Sequence, residues 1–168
     1  MLTRDQLLTA LELLSDKLVA EGKMGELLLM GGAAMSLVYD ARDMTKDIDA
    51  LYEPKSDINR LSAEVAKEMN LPNDWLNDGV KGFISSTVDA REYLSLPGLQ
   101  INSVTPEYLL AMKLLSARIS DTDLNDVRYL IAELDIQNAQ QAYAILEKYY
   151  PKSQVLPKTM YLIEELLS

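Results

Sequence analysis

The pattern of apolar and polar residues divides the first half of the chain into alternating helices and strands. Apolar residues recur every three or four positions over residues 3–20, which predicts a helix with one buried face. Short continuous apolar runs instead predict buried strands, and the first of these ends at the glycine pair Gly31-Gly32. The elements predicted here are a helix at 3–20 capped by Thr3, a strand at 26–30, a helix at 33–39, a strand at 47–52, and a helix at 57–69 capped by Ser56.

The second half of the chain changes from strands to helices at Thr105. Pro97-Gly98 predicts a tight turn between two strands, and Thr105-Pro106 places a cap and a proline where a helix begins. The predicted elements are a loop or short helix at 71–82, strands at 83–84, 93–96 and 99–104, and helices at about 106–119, 122–134, 138–149 and 157–167. The pattern predicts an α/β (α+β) fold, with a small mixed sheet and a helical C-terminal half. We expect one domain over residues 1–168, made of a core at about 1–104 and a helical part at about 105–168.

Composition restricts the chemistry that this fold can carry. A chain of 168 residues is long enough for one domain with a substantial core. It contains no cysteine, which excludes disulfides and thiolate metal sites, and no histidine, which excludes Ser-His-Asp catalysis and histidine-ligated zinc. Any catalysis must therefore use carboxylates, lysine, tyrosine or a bound metal.

Charge narrows the choice of partners. The net charge is −10, from 26 acidic and 16 basic residues, and it argues against a broad nucleic-acid-binding surface, although a local basic groove remains compatible with it. A free nucleotide with its metal, or a basic protein partner, fits this charge better. The apolar runs are too short for a membrane span, and no basic flank and apolar block of a signal peptide is present, so we expect a cytoplasmic protein.

Asp47 and Asp49 are the first candidates for chemistry. On a strand, residues two apart point to the same face, so the two carboxylates repel each other unless a cation lies between them. Hard oxygen ligands suit Mg²⁺ or Mn²⁺. Gly31 and Gly32 allow close approach of the backbone to a phosphate. The alternatives are that the acids only protect an exposed strand edge and that the glycines only form a turn.

Taken in order along the chain, these motifs resemble the nucleotidyltransferase superfamily, which has the polymerase-beta-like fold. The similarity is greatest to the small bacterial and archaeal branch around the AbiEii-type toxins and the related uncharacterised nucleotidyltransferase-like domains, and it spans about residues 25–135. The segments that carry it are Gly31-Gly32, Thr45-Lys46-Asp47-Ile48-Asp49, Asp74-Trp75-Leu76-Asn77-Asp78, Pro106-Glu107-Tyr108-Leu109-Leu110-Ala111-Met112-Lys113, Arg118, Asp123 and Asp126.

The resemblance implies transfer of a nucleotidyl group from a nucleoside triphosphate to a hydroxyl. Asp47 and Asp49 would bind Mg²⁺ or Mn²⁺, and Gly31, Gly32 and Ser36 would hold the triphosphate. The family also uses a third acid, for which Asp89 is our first candidate. Glu92 and Asp78 are the other candidates for this acid, and Asn77, in the same motif as Asp78, is a further candidate site residue. The acceptor would be RNA, a protein or a small molecule, and the family relationship implies a toxin–antitoxin or defence setting with a cognate partner.

Several charged residues allow two interpretations. Lys113 lies on an apolar helix and needs an anionic partner, either the nucleotide or the acidic residues Asp123 and Asp126. Arg118 has the same two options, and Lys46 either contacts phosphate or is solvated. At the level of the whole chain the alternatives to an enzyme are an inactive nucleotidyltransferase-fold binding module and a pure interaction protein.

Overall fold

The computed structural model describes residues 1–79, 88–116 and 121–168, with the side chains of residues 121 and 122 excepted. These residues form two compact units. Residues 1–79 and 90–104 make up the first unit, and residues 88–89, 105–116 and 121–168 make up the second. The prediction of a single domain over residues 1–168 stays a prediction.

The first unit is built on a mixed sheet. The strands of this unit are β1 Leu2–Thr3, β2 Gly25–Met30, β3 Met44–Thr45, β4 Ile48–Glu53, β5 Leu76–Asn77, β6 Ala90–Leu96 and β7 Leu99–Val104. In the described part of the chain the sheet has five strands in the order β5-β4-β2-β7-β6, and a separate short pairing joins β1 to β3. Strand β2 runs antiparallel to β4 and parallel to β7, so the strands predicted at 26–30 and 47–52 are neighbours in the sheet.

Two long helices accompany the sheet in the first unit. Helix α1, Arg4–Ala20, begins with a capping box in which Thr3 accepts a hydrogen bond from the Gln6 backbone and Gln6 accepts one from Thr3. Helix α3, Lys55–Met69, packs against α1 and contacts β4. Between α1 and α3 along the chain, directly after β2, comes the one-turn helix α2, Gly31–Ala33, which continues as a π-helical turn over Ala34–Val38.

Successive side chains along β4 point to opposite faces of the sheet. Ile48, Ala50 and Tyr52 are buried and belong to the hydrophobic core that also contains the apolar faces of α1 and α3. Asp49 and Leu51 are half-buried and point to the opposite face, which we call the outer face. The sheet therefore has an apolar inner face and an outer face that carries the acidic residue of interest.

The second unit is helical, as predicted for the C-terminal half. Its helices are α4 Pro106–Ser116, α5 Asp121–Glu133, α6 Ala139–Tyr149 and α7 Pro157–Leu167. Tyr108 and Tyr149 pack edge to face with their ring centroids 5.0 Å apart, which joins α4 to α6. The buried Thr159 hydroxyl donates a hydrogen bond to the Leu114 carbonyl at 2.8 Å and ties α7 to α4.

Three local predictions were wrong. Helix α3 begins at Lys55 after Pro54, because the extended backbone of Pro54 already forms the cap position, so Ser56 lies inside the helix and does not cap it. Residues 76–77 form a short strand within the predicted loop, since they pair with β4. The helix predicted at 33–39 begins earlier, at Gly31. The strand predicted at 83–84 lies outside the described residues, and no described helix is long and apolar enough to cross a membrane.

Candidate active site

The turn that follows β2 brings Gly31 against Asp49. Gly31 has a φ of +58°, in the left-handed region that favours glycine. A Cβ added at Gly31 would lie 3.0 Å from Asp49 Oδ2 and 3.6 Å from Asp49 Cβ. The register explains the contact, because Met30 is the Cα partner of Asp49 and Gly31 comes next. Any larger residue at Gly31 would therefore press on the Asp49 carboxylate.

The missing side chain at Gly32 leaves room for the Arg42 guanidinium and the Thr45 hydroxyl. A Cβ at Gly32 would lie 2.6 Å from Arg42 Nη1 and 2.7 Å from Thr45 Oγ1, both closer than real Cβ contacts allow. Thr45 is held in place by the β1–β3 pairing, in which it is the Cα partner of Leu2. The Thr45 hydroxyl also donates to the Asp47 carbonyl at 3.3 Å. The β1–β3 pairing and the Thr45 hydrogen bond thus hold the loop between α2 and β4 next to the glycine pair.

Asp47 immediately precedes β4 and is half-buried. Burial raises the pKa of Asp47 above its ordinary value, and repulsion from the nearby Asp74 raises that pKa further. The positive charge of Lys46 and a hydrogen bond with Asn77 act in the opposite direction but do not cancel the shift. The protein environment around Asp47 therefore favours an additional positive charge.

The segment after α3 supplies the neighbours of Asp47. Trp75 is fully buried, and its indole N–H donates to the Ser62 carbonyl at 2.8 Å. The Trp75 carbonyl in turn accepts from the Ile48 backbone at 2.6 Å, which binds the segment to the start of β4. In the parallel pairing of β4 with β5, Asn77 is the Cα partner of Asp49, so their side chains share the outer face.

The donor set fits a divalent cation bound through two carboxylates. Asp47 and Asp49 supply hard oxygen ligands, and Mg²⁺ usually completes its shell with water and substrate phosphates and needs no protein cage. Among the described residues, no group of three or more acidic side chains is arranged to hold a metal ion. Asn77 is the residue that connects the two aspartates, because it is the Cα partner of Asp49 and its side chain lowers the pKa of Asp47.

Comparison with known families identifies the group to which the chain belongs. Residues 5–155 match the family described as nucleotidyltransferase of unknown function (DUF6036). The chain belongs to this nucleotidyltransferase family. Comparisons with curated proteins and with solved structures found no match. The family was expected from the order of the glycine pair and the two aspartates, and that expectation is confirmed.

Ser36 lies in the interior of the first unit. It is part of the π-helical turn and is fully buried. Its hydroxyl has no hydrogen-bond partner among the residues that the structure describes. Ala34, Met35 and Leu37 of the same turn are buried as well, so the burial of Ser36 belongs to the whole turn. Its role in triphosphate binding stays a prediction.

Other acidic candidates of the first unit have local partners. Asp78 Oδ2 lies 2.6 Å from Lys55 Nζ, in an ion pair next to the start of α3. Glu92 is exposed on β6 and accepts a hydrogen bond from the Ser95 hydroxyl at 2.9 Å. Lys46 is exposed, and its charge acts on Asp47 as described above. The sequence analysis named these residues but not these contacts.

The second unit contains Asp89, the first candidate for the third acid. Asp89 Oδ2 accepts a hydrogen bond from the Tyr149 hydroxyl at 2.5 Å and lies 3.7 Å from Lys148 Nζ. The Asp89 carbonyl accepts from the Thr105 backbone at 3.0 Å. These contacts hold Asp89 against α4 and α6, and its catalytic assignment stays a prediction.

Lys113 and its two acidic neighbours also belong to the second unit. Lys113 Nζ lies 2.7 Å from Asp126 Oδ2 and 3.6 Å from Asp123 Oδ1. The Lys113 side chain is 9% exposed and that of Asp126 only 3%. The acidic partners anticipated for Lys113 are therefore present, while nucleotide binding by Lys113 stays a prediction. Arg118 lies outside the described residues.

The sequence analysis gave no role to two residues of the site, Arg42 and Asp74. Asp74 stands within a quoted motif, but only the fold brings its charge close to Asp47. The sequence signal that was available for Arg42 is its position, because it is a cation between the glycine pair and the aspartates in a chain with only 16 basic residues. Both residues lie outside the main secondary-structure elements, so periodicity gives no information about their contacts.

Proposed function

We propose that the chain is a metal-dependent nucleotidyltransferase that transfers a nucleotidyl group from a nucleoside triphosphate to an acceptor hydroxyl. The observation that carries this proposal is the contact of the Asp49 carboxylate with the Gly31 turn. It places a carboxylate suited to a metal ion directly against the glycine turn to which the family resemblance assigns the triphosphate. Membership of the nucleotidyltransferase family supports the same reaction class.

Each residue of this site has a proposed task. Asp47 and Asp49 would hold Mg²⁺ or Mn²⁺, which would neutralise charge on the triphosphate and on the reacting oxygens. The missing side chains at Gly31 and Gly32 let the Asp49 carboxylate and the Arg42 guanidinium lie against the turn, where both would act on the triphosphate and its metal. Arg42, whose guanidinium lies at Gly32, provides the positive charge and the planar donors that suit phosphate. The nearby Asn77 side chain would favour the charged form of Asp47 that a metal ion needs.

A specific observation favours a second candidate, a binding module without turnover. The described residues contain no grouping of three acids suited to a metal. Asp89, the proposed third acid, is already engaged by Tyr149. Such a module would retain the glycine turn and the aspartate pair and would bind nucleotide with its metal, but it would not release pyrophosphate.

Calorimetry with nucleoside triphosphates, with and without Mg²⁺, tests the site. We expect Mg²⁺-dependent binding that is lost in Asp47→Asn/Asp49→Asn. The matched control is Glu12→Gln/Asp16→Asn, which removes two exposed carboxylates from α1 and should bind as the parent does. Equal binding by the parent and the aspartate variant would refute the metal assignment. Pyrophosphate release with mixed acceptors then separates the transferase from the binding module.

The biological setting is part of the proposal. The resemblance to the AbiEii-type branch supports a place in a toxin–antitoxin or defence system, with a cognate protein partner. The negative net charge suits a basic partner. The genes next to this one provide the first test, because such pairs are encoded together, and co-purification from the native host provides the second.

A further inference from the structure

The outer face of the sheet continues from Asp49 into a row of acidic residues. Along β4, Asp49, Leu51 and Glu53 alternate with the buried residues and so share this face. On the neighbouring strand, Glu26 is the Cα partner of Glu53, and Leu28 is the partner of Leu51. Two glutamates therefore stand directly opposite each other across the β2–β4 pair, beyond a half-buried pair of leucines.

This arrangement is unfavourable for the chain by itself. Like charges directly opposite each other on antiparallel strands are destabilising. Glu26 and Glu53 are both exposed, and within the described ranges neither forms an ion pair or a side-chain hydrogen bond. A third exposed glutamate, Glu92, lies on the same face opposite Asn102. A cationic ligand would relieve this repulsion, whereas a polyanion would increase it.

The spacing of these residues defines the shape of the ligand. Glu53 lies four residues beyond Asp49 on one strand, which corresponds to about 13 Å at the usual rise of a β-strand. An extended polypeptide has a similar rise, so a hydroxyl residue at the aspartates would place a residue about four positions away beside Glu53 and Glu26. The intervening leucines Leu28 and Leu51 offer apolar contact to the residues between them.

We propose that the acceptor is an extended, basic polypeptide segment, with a serine, threonine or tyrosine at the aspartate pair and lysine or arginine about four residues away. This inference rests on the proposed function. In the reaction, the hydroxyl oxygen forms a bond to the α-phosphorus of the triphosphate. The bond between the α-phosphorus and the pyrophosphate oxygen breaks, pyrophosphate leaves, and the hydroxyl proton passes to water.

Binding of a labelled peptide to the full chain, measured by fluorescence anisotropy without nucleotide, tests the surface separately from the reaction. The probe is an extended peptide with one serine, one threonine and one tyrosine, each with lysines four residues away on both sides. Glu26→Lys/Glu53→Lys should weaken its binding by about tenfold or more. The control Glu12→Lys/Asp16→Lys makes the same change in net charge on α1 and should leave binding nearly unchanged.

The variant Glu26→Lys/Glu53→Lys reverses both charges, so like charges still lie opposite each other on the two strands. Because it retains the cross-strand repulsion, its melting temperature should stay close to that of the parent. Equal weakening by both variants, or no binding of the lysine peptide, would overturn the proposal.

Transfer from labelled nucleoside triphosphate with Mg²⁺ forms the second arm. We expect label on the lysine peptide, and none on the same peptide with glutamate in place of lysine or on single-stranded RNA. Label on the RNA alone would overturn the basic-polypeptide acceptor while supporting a transferase. Peptide binding that depends on Glu26 and Glu53, without transfer to any acceptor, would instead refute the transferase and leave the docking surface supported.

Discussion

Gly31 lies against Asp49, and a Cβ added to the glycine would come within 3.0 Å of the carboxylate oxygen Oδ2. The contact connects the end of β2 with the second position of β4, and it makes the glycine turn and the acidic strand one structural unit. The backbone conformation also requires glycine at this position, because the φ of Gly31 is +58°. The conformational and the steric requirement can be separated by experiment.

Gly31→Ala should reduce both stability and Mg²⁺-dependent nucleotide binding. The left-handed conformation costs an alanine about 1–2 kcal/mol, and the added methyl group must also displace Asp49. Gly22→Ala is the matched control, because Gly22 has a φ of +68° and nothing within 4 Å of an added Cβ. We expect urea unfolding to show a loss in both variants and calorimetry to show weaker nucleotide binding only in Gly31→Ala. Unchanged binding in Gly31→Ala would separate the turn from the site.

Asp47→Asn should leave the free energy of unfolding at neutral pH unchanged or slightly increased. Because burial and Asp74 raise the pKa of Asp47, the fold favours the protonated acid more than the unfolded chain does. Stability is therefore lost as the pH rises from the unfolded pKa, about 3.9, through the higher folded value. Asparagine does not ionise, so Asp47→Asn removes this pH-dependent loss of stability.

Urea unfolding from mildly acidic to neutral pH measures the effect, with Asp16→Asn on the exposed face of α1 as the control. A marked destabilisation by Asp47→Asn would mean that the Asp47 carboxylate stabilises the fold.

The parts of the site that lie on regular strands were predictable from the sequence. Period-two geometry placed Asp49 on the face opposite the buried Ile48, and the apolar run before Gly31 identified the strand that pairs with Asp49 through Met30. Asp47 comes one residue before β4, so strand geometry does not give the direction of its side chain. The prediction did not extend to Arg42 or Asp74. Their positions depend on the β1–β3 pairing and on the buried Trp75, which are contacts between distant parts of the chain.

Ser36 illustrates a different limit. The residues after Gly32 have the small side chains of a closely packed helix, and the sequence does predict a helix there. Ala34, Met35 and Leu37 of this π-helical turn are buried together with Ser36. Hydrophobic spacing assumes a helix with one buried face, so it does not predict a turn whose consecutive residues are all buried.

Lys113→Ala should strongly destabilise the second unit. It would remove the Lys113 ammonium group that lies 2.7 Å from the Asp126 carboxylate, which is only 3% exposed, and loss of one partner of a buried pair costs about 3–5 kcal/mol. For a chain of this length the melting temperature should fall by about 10 °C. Lys113→Met/Asp126→Asn replaces both charges and should recover most of the loss in a thermal melt. Weaker triphosphate binding by this stable double variant would support the nucleotide role predicted for Lys113, and unchanged binding would contradict it.

The tyrosines of the second unit should make the fold sensitive to alkaline pH. Burial is the main cause that raises the pKa of Tyr150, and the neighbouring Tyr108 adds to it. The fold thus favours neutral Tyr150, and stability is lost as the pH rises above the unfolded value of about 10. In a titration followed by tyrosinate absorbance and circular dichroism, the last ionisation step should coincide with loss of helix.

Tyr150→Phe should remove one tyrosinate from that last step. If Tyr150→Phe instead reduced a step that precedes the loss of helix, Tyr150 would be titrating in the folded protein and the assignment of the alkaline transition to its burial would be wrong.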